Sequence, residues 1–342
     1  MEKIYFSLII SAILSLVLTP LARKFAIKFN FIDVPKDNRR VHTKAIPLLG
    51  GLAIFLAVII AIFIFLDYKG ERLGLLIGST LILASGIIDD KYNLSPKAKM
   101  GFQILAAIIL VVFGVRIEFF TNPFNMGQSL VFLEFLSVPI TIFWIVGITN
   151  TINLIDGLDG LAAGVSMISS ISLMFIARSF GFYDISILAA IVAGACLGFL
   201  PYNFNPAKIF MGDAGALFLG FVLSYISIEG VMKSAAALTI FVPVLILAVP
   251  VFDTAFAMVR RKLSGKSMVS ADKGHLHHRL LRLGLNQKQT VLVLYFISIV
   301  FGLIANLLSN IDAKLGIFIS SLVIFSVILI AYMFGMFKSK EE

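Results

Sequence analysis

Ile4–Leu21 reads IYFSLIISAILSLVLTPL, eighteen residues without a charge, and Arg23, Lys24 and Lys28 follow almost at once. Coiled into a helix at about 1.5 Å per residue, such a run reaches ~27 Å, close to the hydrocarbon thickness of a bilayer. Lys3 ahead of it gives the run the look of a signal peptide. No small-residue cleavage site is evident, however, and a loop rich in Lys and Arg comes next, so we read it as a membrane span.

The same pattern recurs outward from it. Ten more apolar runs follow, at Ile46–Leu66, Leu73–Ile88, Met100–Val115, Phe132–Ile148, Leu161–Ala177, Ile185–Leu200, Ala214–Ile228, Ala235–Val259, Thr290–Leu308 and Leu315–Met336. With 59% hydrophobic residues, 14% charged residues and a mean hydropathy of +1.02, the chain holds more apolar surface than one soluble core of this length could bury. The expected fold is an all-α integral membrane protein of about eleven transmembrane helices. It forms one polytopic domain over residues 1–342.

Basic residues set the expected orientation. Loops after the odd-numbered spans, with the C-terminal tail, carry 21 of the 28 Lys and Arg residues. The positive-inside rule then puts the N-terminus outside and the C-terminus in the cytoplasm. The net charge of +9 is juxtamembrane, so it reads as topology and attraction to anionic lipid, and no nucleic-acid partner is expected. The single cysteine, Cys196, falls inside the seventh run and reads as a small core residue.

Acidic and amide side chains collect at the cytoplasmic ends of the spans: Asp89 and Asp90, then Asn153, Asp156 and Asp159, then Asp213, Asp253 and Asp272. Carboxylates at a membrane boundary are costly unless solvated, paired or bound to a cation, so their grouping on one face points to a shared polar site. Asp89 and Asp90 close the third span, where acids oppose the helix dipole unless a cation is near; simple solvation of a helix end is the alternative. Asn153, Asp156 and Asp159 recur every three residues and converge if that segment is helical. The loop holding them has no Lys or Arg, and Gly157 and Gly160 allow close backbone approach. Asp213 stands where an apolar helix begins and could be an N-cap, a ligand or both.

Three of the four histidines, His275, His277 and His278, fall within four residues and precede Arg279. No cysteine is near enough to complete a structural zinc site. Imidazole and guanidinium donors suit phosphate better. Carboxylates and amides without thiolates form a hard donor set for Mg²⁺ or Mn²⁺, which is commonly held by one or two carboxylates plus substrate phosphates. The combination reads as phosphoryl transfer.

In order and topology, Asp89-Asp90, the run Asn153 to Gly160, the run Asn203 to Asp213, and Ser270-Ala271-Asp272-Lys273-Gly274-His275-Leu276-His277-His278 resemble the polyprenyl-phosphate N-acetylhexosamine-1-phosphate transferases of glycosyltransferase family 4. Asp33-Val34-Pro35, Arg39-Arg40-Val41-His42 and Pro47-Leu48-Leu49-Gly50-Gly51 look like the same family. The resemblance covers nearly the whole chain. It implies Mg²⁺-dependent transfer of a sugar-1-phosphate from a UDP-sugar to a polyprenyl phosphate such as undecaprenyl phosphate, with release of UMP, at a bacterial-type cytoplasmic membrane.

The His-x-His-His form after Ala-Asp-Lys resembles the UDP-N-acetylglucosamine branch that starts teichoic-acid or O-antigen assembly. Leu276 interrupts the three consecutive histidines usual in the UDP-MurNAc-pentapeptide branch, the alternative enzyme. A secondary transporter is the alternative outside enzymes, and a homodimer is left open. By resemblance, Asp213 is the main Mg²⁺ ligand, with Asp156 beside it. Asp89 and Asp90 orient the acceptor phosphate, while Asn153, Asp156 and Asp159 form the nucleotide and metal side. Asn203 and Phe210 lie near the uracil, and His275, His277, His278 and Arg279 clamp the sugar diphosphate.

Overall fold

A computed structural model of the chain describes residues 1–34, 45–121, 130–234, 240–265, 274–311, 313–333 and 335–337. Pro35, Arg39, Arg40, Val41 and His42, and Ser270, Ala271, Asp272 and Lys273, lie outside the described residues.

Helices dominate: α1 (Glu2–Lys28), α2 (Gly50–Phe65), α3 (Glu71–Tyr92), α4 (Pro96–Val112), α5 (Ser137–Ile155), α6 (Leu161–Ser179), α7 (Tyr183–Asn203), α8 (Gly212–Ser227), α9 (Phe241–Ile246), α10 (Ala248–Leu263), α11 (Leu276–Arg282), α12 (Gln287–Leu308) and α13 (Ala313–Met333). Two antiparallel ribbons interrupt them in the loops. One pairs β1 (Ile32–Asp33) with β2 (Ile46–Pro47), and the other pairs β3 (Phe119–Thr121) with β4 (Leu130–Phe132). Among the described residues, eight helical segments are long and apolar enough to cross a membrane, and α2 is a shorter apolar helix. The chain is a multi-pass membrane protein.

Most helix ends differ from the hydropathy reading by a few residues, and three of these differences shape the bundle. α3 continues to Tyr92, so Asp89 and Asp90 stand in its last turn, and α5 runs to Ile155, carrying Asn150 and Asn153 with it. Hydropathy falls wherever polar residues begin, whereas a helix continues until its backbone loses partners. The expected ninth span, Ala235–Val259, is divided at Leu247 between α9 and α10, and its residues 235–239 lie outside the description. Pro250 has no N–H to offer the Ile246 carbonyl. The Ser169 hydroxyl of α6 donates to that carbonyl at 3.0 Å instead.

α8 is the axis of the bundle, with its membrane-length window wholly buried. Glycines let its neighbours come within backbone contact. A Cβ on Gly51 of α2 would stand 2.2 Å from the Gly215 nitrogen, one on Gly86 of α3 would stand 2.3 Å from the Ala214 Cα, and one on Gly220 of α8 would stand 2.7 Å from the Thr149 Cα of α5. Small residues permit such approach where apolar lipid supplies no hydrophobic drive between helices. These contacts fix the rotation and depth of α2, α3 and α5 around the first turns of α8. Cys196 is fully buried in α7, as expected of a core residue.

Candidate active site

The site grows from the N-terminus of α8. Its first turn leaves backbone N–H groups without intrahelical partners. Those of Asp213 and Ala214 donate to the two carboxylate oxygens of Asp90, at 2.8 and 3.3 Å. The cap of α8 is therefore Asp90, delivered by the last turn of α3, and not Asp213. The positive end of the α8 dipole faces that carboxylate and offsets the conflict an acid meets at the C-terminus of its own helix. Gly212, at φ +71°, lets the chain turn into the helix so close to Asp90 that a Cβ there would lie 2.5 Å from its carboxylate.

With Asp90 as the cap, the Asp213 side chain is left to face its neighbours. Asn153 of α5 donates to Asp213 Oδ1 at 2.9 Å, and the Lys99 ammonium of α4 donates to Oδ2 at 2.8 Å. Lys99 also pairs with Asp89, which is 3% exposed and whose other oxygen accepts the Leu94 N–H at 2.7 Å. Lys99 thus lies between two carboxylates from different helices. In the sequence it is one of the basic residues ahead of the fourth apolar run, with no signal that sets it apart; the structure extends α4 back to Pro96 and so carries Lys99 on the helix.

Asn153, Asp156 and Asp159 do not line up on one helical face. α5 ends at Ile155, the chain turns through 156–160, and α6 starts at Leu161. Asn153 faces Asp213. Asp156 is half-buried, and its carboxyl is pushed up to about 7 by burial first, then by the charges of Asp213 and Asp159. Asp159 points the other way, accepting from Asn205 Nδ2 at 2.9 Å and the Ala207 N–H at 3.0 Å, so it anchors the 205–207 loop. Asn205 also donates to Gln287 at the start of α12, and the Tyr295 hydroxyl of α12 donates to the Gly160 carbonyl. Neither α12 residue stood out in the sequence.

The histidine segment is held by Asp253 of α10. Its carboxylate accepts from His275 Nδ1 at 2.9 Å and from the Leu276 N–H at 2.7 Å. A carboxylate only accepts, so Nδ1 carries the proton and Nε2 is turned away from Asp253. The His277 ring stacks on His275 at 5.8 Å, lies 4.3 Å from His278, and meets the turn beside Asp156: a Cβ on Gly157 would stand 2.7 Å from His277 Nε2. Burial, and next the neighbouring His278, hold the His277 imidazole down at about 4. Near neutral pH it is an uncharged donor and acceptor, not the cation a phosphate clamp suggests.

Three of the expected contact residues also brace the protein itself. Asn203 is buried, and its amide donates to the Ile209 carbonyl at 3.0 Å, bracing its own loop. Phe210 joins that loop to α2 through its backbone: its N–H donates to the Pro47 carbonyl, and its carbonyl accepts the Gly50 N–H. Arg279 donates to the Gly274, Gly335 and Met336 carbonyls, so its guanidinium ties α11 to the turn after α13. In Asn203 and Arg279 the side-chain donors meet backbone carbonyls, whereas in Phe210 it is the backbone that is engaged.

A divalent cation could be held by Asp213 and Asp156, with Asn153 on the Asp213 carboxylate. Among the described residues no three His, Cys, Asp or Glu side chains are gathered as a metal cage. Two hard carboxylates fit Mg²⁺ completed by substrate phosphates and water, and do not fit zinc.

A family model described as glycosyl transferase family 4 matches residues 72–231. The chain is 42% identical over 341 residues to a probable undecaprenyl-phosphate N-acetylglucosaminyl 1-phosphate transferase of Bacillus subtilis, covering 99% of this chain and 94% of that protein. It is 31% identical over 293 residues to an undecaprenyl-phosphate alpha-N-acetylglucosaminyl 1-phosphate transferase of Thermotoga maritima, covering 86% and 87%. It is 32% identical over 326 residues to a phospho-N-acetylmuramoyl-pentapeptide-transferase of Staphylococcus saprophyticus, covering 88% and 98%.

Proposed function

The chain belongs to glycosyl transferase family 4, and from that premise we propose that it transfers N-acetylglucosamine-1-phosphate from UDP-N-acetylglucosamine to undecaprenyl phosphate, releasing UMP and starting a cell-surface polymer. The observation that carries the reading is the meeting of α3, α4, α5 and α8 through Asp89, Lys99, Asn153 and Asp213 at one end of a membrane bundle. A lipid phosphate and a soluble nucleotide can both reach such a boundary. The 21 basic residues that the eleven-span reading puts on this side support a cytoplasmic face for this end.

Asp213 and Asp156 would hold Mg²⁺, which when bound would neutralise charge on the donor diphosphate. The chain's own groups do the rest. Lys99 sets a fixed positive charge beside Asp89 and Asp213. Asn153 orients the Asp213 carboxylate, and the neutral His277 offers a hydrogen bond from beside the Asp156 turn. A phosphate monoester has its second pKa near about 6, so the acceptor reaches the site mostly dianionic and needs positioning more than deprotonation. Its oxygen forms the new bond to the sugar-bearing phosphorus while the bond from that phosphorus to the UMP oxygen breaks. Asp90 is engaged in capping α8 and Asp89 in binding Lys99 and Leu94, which favours this direct displacement over a phosphorylated aspartate.

Release of UMP by the purified protein from UDP-N-acetylglucosamine and undecaprenyl phosphate, with and without Mg²⁺, tests the reading. Metal-dependent UMP with a lipid-linked sugar is the expected result. Turnover of UDP-MurNAc-pentapeptide alone would move the chain to that branch. Silence with both donors, together with ion-dependent uptake in proteoliposomes, would replace the transferase by a transporter.

Gly157→Ala provides a narrower check. The added methyl must displace the His277 ring, and misplacement of an orienting group by about 1 Å can cost as much as ~10²-fold. We expect kcat/KM for the nucleotide sugar to fall about tenfold with the protein still folded. An unchanged kcat/KM would remove His277 from the site.

A further inference from the structure

One turn deeper than Lys99 and Asn153, the same faces of α4 and α5 carry a second polar pair. Gln103, four residues after Lys99 and 2% exposed, donates to Asn150 Oδ1 at 3.3 Å. Asn150, three residues before Asn153, donates back to Gln103 Oε1. Its amide nitrogen also donates to the Val146 carbonyl at 2.9 Å. Both N–H groups of the Asn150 amide are therefore used, and each amide oxygen accepts.

Lys99 and Gln103 are neighbours on one helical face at i,i+4, as Asn150 and Asn153 are at i,i+3. α4 enters the bundle at the site end and α5 leaves it there, so the two pairs stack at successive depths. The upper pair addresses one acceptor from two sides, with Asn153 on Oδ1 and Lys99 on Oδ2 of Asp213. Neither side chain bonds directly to the other helix. Sliding or rotating α4 against α5 would move one donor off the carboxylate while the other stayed. The reciprocal amide pair is the nearest polar contact that resists such a slip.

We propose that Gln103 and Asn150 are positioning residues that fix the register of α4 against α5, so that Lys99 and Asn153 hold the Asp213 carboxylate in one orientation. The inference rests on the transferase reading, because it gives Asp213 the cation. Groups that orient a metal-bound carboxylate typically change metal affinity or activity by about 10- to 100-fold when lost. The amide pair acts one step further out, so an effect near the lower figure is expected.

The test uses Gln103→Met, which keeps length and apolar fit, and Gln103→Met combined with Asn150→Leu, which leaves neither amide without a partner. Each is compared with the wild type by Mn²⁺ binding measured by electron paramagnetic resonance on purified protein, by the Mg²⁺ concentration giving half-maximal UMP release, and by thermal stability in detergent. The exchanged pair, Gln103→Asn with Asn150→Gln, retains both amides and their combined length. Mn²⁺ binding and the Mg²⁺ requirement should weaken about tenfold in both apolar variants and recover in the exchange.

The double variant decides between positioning and stability alone. Wild-type metal dependence in a stable double variant would overturn the proposal. So would a loss of thermal stability in all the variants with no shift in Mn²⁺ binding. Failure of the transferase reading is separate: the wild type itself would then give no metal-dependent UMP, whatever the variants bind.

Discussion

Asp213→Asn is expected to lower UMP release by roughly 10³-fold, while the protein keeps its yield and melting behaviour. The size follows from what the substitution changes. Removing a single preorganised electrostatic group from an active site typically costs about 10²–10³-fold, and this one both carries the charge that would bind the cation and accepts from two converging donors. An asparagine would turn an amide N–H₂ toward either the Lys99 ammonium or the Asn153 amide, setting donor against donor where both now donate to a carboxylate. Folding should survive, because the cap of α8 is the Asp90 carboxylate and its partners are backbone N–H groups that the substitution leaves in place. Measuring UMP release over a wide Mg²⁺ range makes the result specific. A variant rescued fully by raised Mg²⁺ would have lost affinity alone, and one retaining more than a tenth of wild-type turnover would remove Asp213 from the centre of the reaction.

The second large effect is expected at Lys99. Lys99→Met keeps most of the side-chain volume and deletes the ammonium between Asp89 and Asp213. Asp89 is almost wholly buried, so an unpartnered charge there is costly, and two carboxylates would face one another without a monovalent counterion. Turnover should fall about 10²-fold. Lys99→Arg should recover little of it, because a planar guanidinium does not replace a compact ammonium held between two acids. If Lys99→Met turned over near the wild-type rate, the lysine would be no more than the juxtamembrane charge its place in the sequence suggests. A variant that no longer accumulated in the membrane would instead assign Lys99 to folding, a result that comparison with Asp213→Asn would expose directly.

The largest change between sequence and structure lies in how the carboxylates divide their work. Read along the chain, Asp213 and Asp156 are expected at the metal, Asp89 and Asp90 at the acceptor phosphate, and Asn153, Asp156 and Asp159 on the nucleotide and metal side. In space the carboxylates separate by task. Asp213 accepts from Asn153 and Lys99, Asp90 caps a helix, Asp89 holds Lys99, and Asp159 ties down the loop at Asn205 and Ala207. The histidines divide in the same way, with His275 engaged by Asp253 and His277 set against the Asp156 turn. Arg279, counted with them, spends its guanidinium on carbonyls after α13.

The amino-acid order alone was enough to name the solvent of the protein and to show that its polar side chains collect at one end of the spans. Hydropathy is a sum over neighbouring residues, and the one-sided distribution of Lys, Arg, Asp and His needs no knowledge of packing to be seen. Motif spacing carried the family and the residues worth examining. It could not say which oxygen meets which donor. Lys99 and Asp213 are 114 positions apart, and Asp90 and Asp213 are 123 apart. Whether such pairs meet depends on the rotation and depth of each helix, which the glycine contacts of α2, α3 and α5 against α8 fix to within a fraction of a turn. A side chain on a helix changes direction by about 100° per residue, so a shift of one position in α3 would turn the Asp90 carboxylate away from the first turn of α8.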